Sequence, residues 1–150
     1  MLRLVLRRAK SLSNELASAP ENASAAAGSA RSSHGNHHRV HDRVHRQLGP
    51  GLLKSAYGEC LCHQLHLRGI EFQRQVSLPL FYEGLPLSCG HQMDLIARDE
   101  AVVELKAIEN FLPVHQAQLL TFMKLARKSV GLLINFNVPV LLQGVAPRVL

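Results

Sequence analysis

The run Ala101 to Ala107 (AVVELKA) carries Glu104 and Lys106 two residues apart on an otherwise apolar stretch. Side chains alternate across a strand, so both point to one face, together with Val102. Upstream, Arg98-Asp99-Glu100 reads as a turn. A hairpin centred on Asp99 sets Asp94 across the ladder from Glu104, and Gln92 across from Lys106. Opposed residues in such a pair have Cβ atoms about 5 Å apart, where like charges repel, so a sheet shaped only for stability avoids this pairing. A divalent cation removes the conflict. Two carboxylates, a main-chain carbonyl (that of Leu105 lies between the charged pair) and waters make the oxygen shell that suits Mg²⁺, or Mn²⁺ in its place. Lys106 could then orient or help deprotonate a metal-bound water, whose pKa the ion lowers while it stabilises charge on a phosphoryl oxygen. The competing reading is a polar sheet face on which Lys106 neutralises one acid, and a one-residue slip in register would separate the acids.

These side chains need elements to hold them. Val40, Val44 and Leu48 recur at helical spacing from His37 to the break at Gly49-Pro50-Gly51. A second helix follows, with a stripe of Leu53, Ala56, Tyr57 and Cys60 and a C-terminal cap at Gly69. The period then becomes two: Val76, Leu78, Leu80 and Tyr82 alternate, and Pro79 predicts an edge strand or bulge. Glu83-Gly84 is the turn to a return strand from Leu85 to Ala97, and AVVELKA is the third strand of the meander. Pro113 suits a first helical position, ahead of an apolar stripe of Leu119, Phe122, Met123 and Ala126. The fully apolar Val130 to Phe136 predicts a central strand covered on both faces. The order is helix, three strands, helix, strand: an α/β fold.

Charge places the fold in the chain. Of the formal net charge of +6, residues 1–50 carry +5 and the remainder +1, and all seven Phe and Tyr residues lie after residue 50. The core therefore belongs to a domain over 37–150, and residues 1–36 read as a disordered, basic, Ala/Ser-rich extension. Its first 13 residues have the composition of an organellar transit peptide, and equally that of a plain basic arm that would add DNA affinity by counterion release. Three cysteines without a CxxC pair argue against a disulfide framework and a four-cysteine zinc site, and fit a reducing cytoplasm. Cys60 and Cys62 read as small buried hydrophobes. No apolar run is long enough for a transmembrane helix. His37, His41 and His45 form an i, i+4, i+8 ladder that could bind a metal, but interleaved Arg39, Arg43 and Arg46 oppose cations there. His63 and His66 read as surface residues, while His91 and His115 lie nearer the acidic patch.

Five blocks, Gly51–Tyr57 (GLLKSAY), Cys89–Leu95 (CGHQMDL), Val103–Ala107 (VELKA), Val114–Lys124 (VHQAQLLTFMK) and Gly131–Val138 (GLLINFNV), resemble in order the GxxExxY proteins of the PD-(D/E)XK nuclease superfamily. The resemblance covers about residues 45 to 150. It implies a restriction-endonuclease-like αβββαβ core, a mixed central sheet flanked by helices, and hydrolysis of DNA phosphodiesters. It also implies Asp94 and Glu104 as metal ligands, Lys106 as the catalytic lysine, and Gln118 as a supporting polar residue.

One position departs from the motif that names the family. Lys54 stands where GxxExxY has its glutamate, a swing of two charge units near the expected cation. Glu59 cannot take over, because five helical residues rotate a side chain by about 140°. Lys54 could contact a phosphate instead. Alternatively, the chain is a catalytically degenerate nuclease-fold module that binds nucleic acid or a protein partner. A third reading is a small structural protein with a solvated acidic sheet face. Oligomeric state, a homodimer included, is not set by the sequence.

Overall fold

The structure is a computed structural model, and it describes residues 40–150. The N-terminal extension, its targeting reading and His37 lie outside the described residues, as does the side chain of His41. Gly49-Pro50-Gly51 separates two helices, α1 (Val40–Leu48) and α2 (Lys54–Leu67). Gly49 and Gly51 have φ of 69° and 97°, values that glycine adopts without a Cβ clash.

The buried stripe of α2 is Tyr57, Leu61 and Leu65. The expected stripe began at Leu53, but that residue is the extended N-cap and is 78% exposed. Cys60 and Cys62 are half-buried free thiols packed against the core, rather than fully buried hydrophobes. Gly69, with φ of 63°, ends the helix as expected, and the Ile70 N–H returns to the Leu65 carbonyl.

The meander forms with the expected turns: β1 (Phe72–Tyr82), β2 (Leu85–Ala97) and β3 (Ala101–Lys106). Pro79 lies at a register shift between Leu78 and Leu80, and β1 is an edge strand. Beyond the bulge Tyr82 is exposed at the hairpin tip, so the expected alternation outruns the layers that could cover it. Helix α3 (Pro113–Leu125) crosses over to β4 (Val130–Asn135), which lies parallel to β3. A 3₁₀ turn (Leu141–Gly144) then leads into β5 (Val145–Val149), which pairs antiparallel with β4. The mixed sheet has the order β1-β2-β3-β4-β5, so β4 is interior and all six of its residues are buried. β5 was not foreseen: VAPRV holds Pro147 and Arg148 and lacks a clean apolar alternation, which an edge strand tolerates.

The sheet separates two apolar layers. Tyr57, Leu61 and Leu65 pack with Leu95, Val103, Leu105 and Ile134 on the α2 side. Leu119, Phe122 and Met123 pack with Met93, Ile96, Val102 and Leu133 on the α3 side. The 3₁₀ turn closes tightly on the end of β4: a Cβ at buried Gly144 would run into the Asn135 carbonyl, main chain that cannot swing aside. Gly144→Ala is therefore expected to lose about 1–3 kcal/mol by overpacking. A urea midpoint equal to wild type would show that this loop yields.

Candidate active site

The polar end of β3 emerges from the core at Glu104, Leu105 and Lys106. Glu104 is 2% exposed and the Lys106 side chain 13%. Lys106 Nζ donates to Glu104 Oε1 at 2.9 Å and to Gln118 Oε1 of α3 at 2.9 Å. Two neighbouring elements thus fix one ammonium group. Gln118 is brought to the site because α3 lies over the face of β3 that carries Val102, Glu104 and Lys106.

Asp94 arrives by a route other than direct opposition. The β2–β3 ladder has the expected register, pairing Ala97 with Ala101, Ile96 with Val102 and Leu95 with Val103, and ends there. The predicted pairs Asp94–Glu104 and Gln92–Lys106 do not form. Gln92 instead pairs with Ser77 and donates its side-chain amide to the Gln75 carbonyl at 3.2 Å. The reason lies in the hairpin. Arg74 pairs with Leu95 and Val76 with Met93, but Gln75 and Asp94 between them do not pair, and Gln75 has φ of 52°.

Around that level both strands change faces. Phe72 packs on the α2 side and Val76 on the α3 side, although residues four apart in a regular strand share a face. Met93 and Leu95 are likewise on opposite sides. Asp94 sits at the crossover, and its Oδ2 accepts the Leu105 N–H at 2.8 Å where a main-chain partner would otherwise be. The N–H and C=O of one strand residue face the same neighbour, so the Leu105 carbonyl is also turned to this side.

Lys54, at the start of α2, closes the cluster. Its Nζ lies 2.8 Å from Asp94 Oδ1 and 3.8 Å from Glu104 Oε1, and its side chain is 44% exposed. A cation in a first helical turn opposes the helix dipole, and the two carboxylates offset that cost. Two acids and two ammonium groups leave the cluster near neutrality. Burial nonetheless pushes the Glu104 carboxyl above the usual glutamate range, and the Asp94 charge pushes the same way, against the pull of Lys106 and Lys54.

Glu104 Oε2 is the one buried side-chain polar atom without a hydrogen-bond partner among the described residues. That atom, the Asp94 carboxylate and the Leu105 carbonyl are hard oxygen donors of the kind Mg²⁺ and Mn²⁺ take. The donor set fits such an ion once Lys54 moves off the carboxylates. No group of three His, Cys, Asp or Glu residues able to hold a metal occurs among the described residues, so an ion here would need a carbonyl and waters beside the two carboxylates.

The other candidates fall elsewhere. Glu59 is 67% exposed and ion-paired to Arg74. Tyr57 is fully buried: its hydroxyl donates to the Gly49 carbonyl at 2.6 Å, accepts the Leu52 N–H at 3.1 Å, and its ring stacks on Phe136 at 4.5 Å. It fastens the turn ahead of Lys54. His115 Nδ1 accepts the Leu112 N–H at 3.0 Å and so brackets the start of α3, while exposed His91 packs on Phe122. His45 is buried, with Nε2 2.6 Å from the Val138 carbonyl, which removes it from a metal ladder. His63 and His66 are exposed.

Sequence reasoning missed Asn135. Buried in β4, its amide donates to the Ile108 carbonyl at 2.7 Å and accepts the N–H groups of Ile108 and Asn137 at 3.1 Å. It ties down the loop that leaves Lys106. The signal was a lone amide in the apolar run VGLLINF.

No curated protein and no solved structure matches the chain. A family model described as the PD-(D/E)XK nuclease superfamily matches residues 36–147. With that match spanning the meander, α3 and β4, the chain belongs to the PD-(D/E)XK nuclease superfamily and has its restriction-endonuclease-like fold.

Proposed function

We propose that residues 37–150 form a metal-dependent nuclease of the GxxExxY type that hydrolyses DNA phosphodiester bonds. The observation that carries this reading is the Lys106 ammonium, held 2.9 Å from both Glu104 and Gln118 beside a buried, unpartnered carboxylate oxygen. Asp94, Glu104 and the Leu105 carbonyl would hold Mg²⁺ or Mn²⁺, which supplies an acidified water and neutralises charge on the phosphoryl group. Lys106 orients the attacking water on the Glu104 face, and Gln118 keeps the lysine from swinging away. Leu105 N–H fixes Asp94 through Oδ2, so the carboxylate needs no reorganisation before substrate arrives.

A second reading is favoured by a specific contact. Lys54 already places a cation on both carboxylates, which suits a nuclease-fold module that binds nucleic acid without cutting it. Labelled plasmid and linear DNA, incubated with the protein in Mg²⁺ or Mn²⁺, separate the two. Cutting by wild type that is lost in Asp94→Ala is the expected result. Cutting unchanged by Asp94→Ala would overturn the nuclease reading, and cutting by Lys54→Glu alone would establish the second.

A further inference from the structure

A cleft of about 180 Å³ adjoins the Asp94 carboxylate on the α2 side of the sheet, lined by Lys54, Ser55, Arg74, Gln75, Asp94 and Leu105 among others. Two cations from separate elements border it, Lys54 from α2 and Arg74 from β1. The hairpin crossover brings them together, since Arg74 precedes Gln75 and sits beside Leu95 in the ladder.

Neither cation is locked to its present partner. The Lys54 side chain is 44% exposed, and Arg74 pairs with a Glu59 side chain that is 67% exposed. An exposed pair such as Arg74–Glu59 is worth only about 0–1 kcal/mol, so an incoming anion can replace Glu59 on Arg74, while Lys54 reaches solvent over an Asp94 that is 20% exposed. Asp94 keeps the Leu105 N–H on Oδ2 when Lys54 turns to an anion. The start of α2 adds to this without carrying it: the helix has no side-chain cap hydrogen bond and no acid in its first turn.

We propose that this cleft is a phosphodiester-binding subsite in which Lys54 and Arg74 hold a nucleic-acid backbone phosphate without any metal ion. The inference deepens the nucleic-acid reading above and rests on it. Lys54 thereby acquires a partner that the glutamate of the family motif could not take. Metal-independent attachment and metal-dependent hydrolysis become separate properties of adjoining groups.

Binding of a fluorescently labelled duplex to the full chain in EDTA, followed by anisotropy over a range of salt, tests this directly. Lys54→Gln and Arg74→Gln are each expected to weaken binding about fivefold or more and to reduce the log–log salt slope by about 0.9, one phosphate contact each. Asp94→Asn should bind at least as tightly as wild type, because an anion beside the subsite is gone. Lys128→Gln is the control, since Lys128 pairs with Asp99 at the opposite end of β3. No wild-type binding in EDTA, an unchanged affinity in both cleft variants, or an equal loss in Lys128→Gln overturns the subsite. The nuclease reading fails separately. Absence of cutting alongside a selective loss of EDTA binding would discard hydrolysis and keep the subsite, whereas normal cutting with unchanged EDTA binding in both variants would do the reverse.

Discussion

Lys54→Glu is expected to raise Mg²⁺ affinity at least tenfold and to make the stability of the domain depend on the ion. The substitution turns two acids and two ammonium groups into three acids and one, within 4 Å of the place where Lys54 now meets both carboxylates. In EDTA the added carboxylate faces Asp94 and the already desolvated Glu104, so the melting temperature should fall below that of wild type. With Mg²⁺ about 100-fold above its dissociation constant, binding to the native state adds about 2.7 kcal/mol. For a domain of this size each kcal/mol moves Tm by roughly 4 °C. Wild type should shift much less at the same Mg²⁺ concentration, because the ion must first displace Lys54. Equal Mg²⁺-induced shifts in the two proteins would show that Lys54 does not compete for the cation position.

Tyr57→Ala is expected to be the most damaging single truncation, costing about 3–5 kcal/mol. The ring is fully buried and stacks on Phe136 with the planes 6° apart, and the hydroxyl closes the Gly49–Leu52 turn through two hydrogen bonds. Tyr57→Phe keeps the stack and removes only the hydroxyl, leaving the Gly49 carbonyl and Leu52 N–H to other partners, for about 1–3 kcal/mol. Urea unfolding separates the two contributions. If Tyr57→Phe lost as much as Tyr57→Ala, the hydroxyl rather than the ring would be the chief contributor. Tyr57 then serves architecture, keeping the first turn of α2, and with it Lys54, in position.

The candidate site residues were legible where local period sufficed. Glu104 and Lys106 share a face by a spacing of two, and the hairpin register placed Asp94 close to them. The detail of Asp94 was not legible, because the face change depends on a positive φ at Gln75, a residue that carries no turn signal. The contacts of Lys54 with Asp94 and Glu104 span some 40 and 50 residues of chain, and no local pattern reports such a meeting. The αβββαβ order was readable from the switches between helical and strand periods. β5 was not, since an edge strand with a proline lacks the alternation that marks a half-buried one. Asn135 shows the same limit from the other side: a polar residue in an apolar run signals that it has a partner but not which one.

The crossover at Gln75 and Asp94 divides the hairpin into two parts with separate histories open to them. Below it, Phe72, Leu95, Ile96 and Ala97 are held in the two packed layers, while Gln73 and Arg74 face solvent. Above it Val76, Leu78 and Met93 still pack beneath α3, and beyond them lie a bulge, exposed aromatics and a two-residue turn. Lengthening or recolouring that upper arm would alter what the molecule can reach while leaving Asp94 where it is. The reach of the hairpin and the position of the carboxylates can therefore change independently.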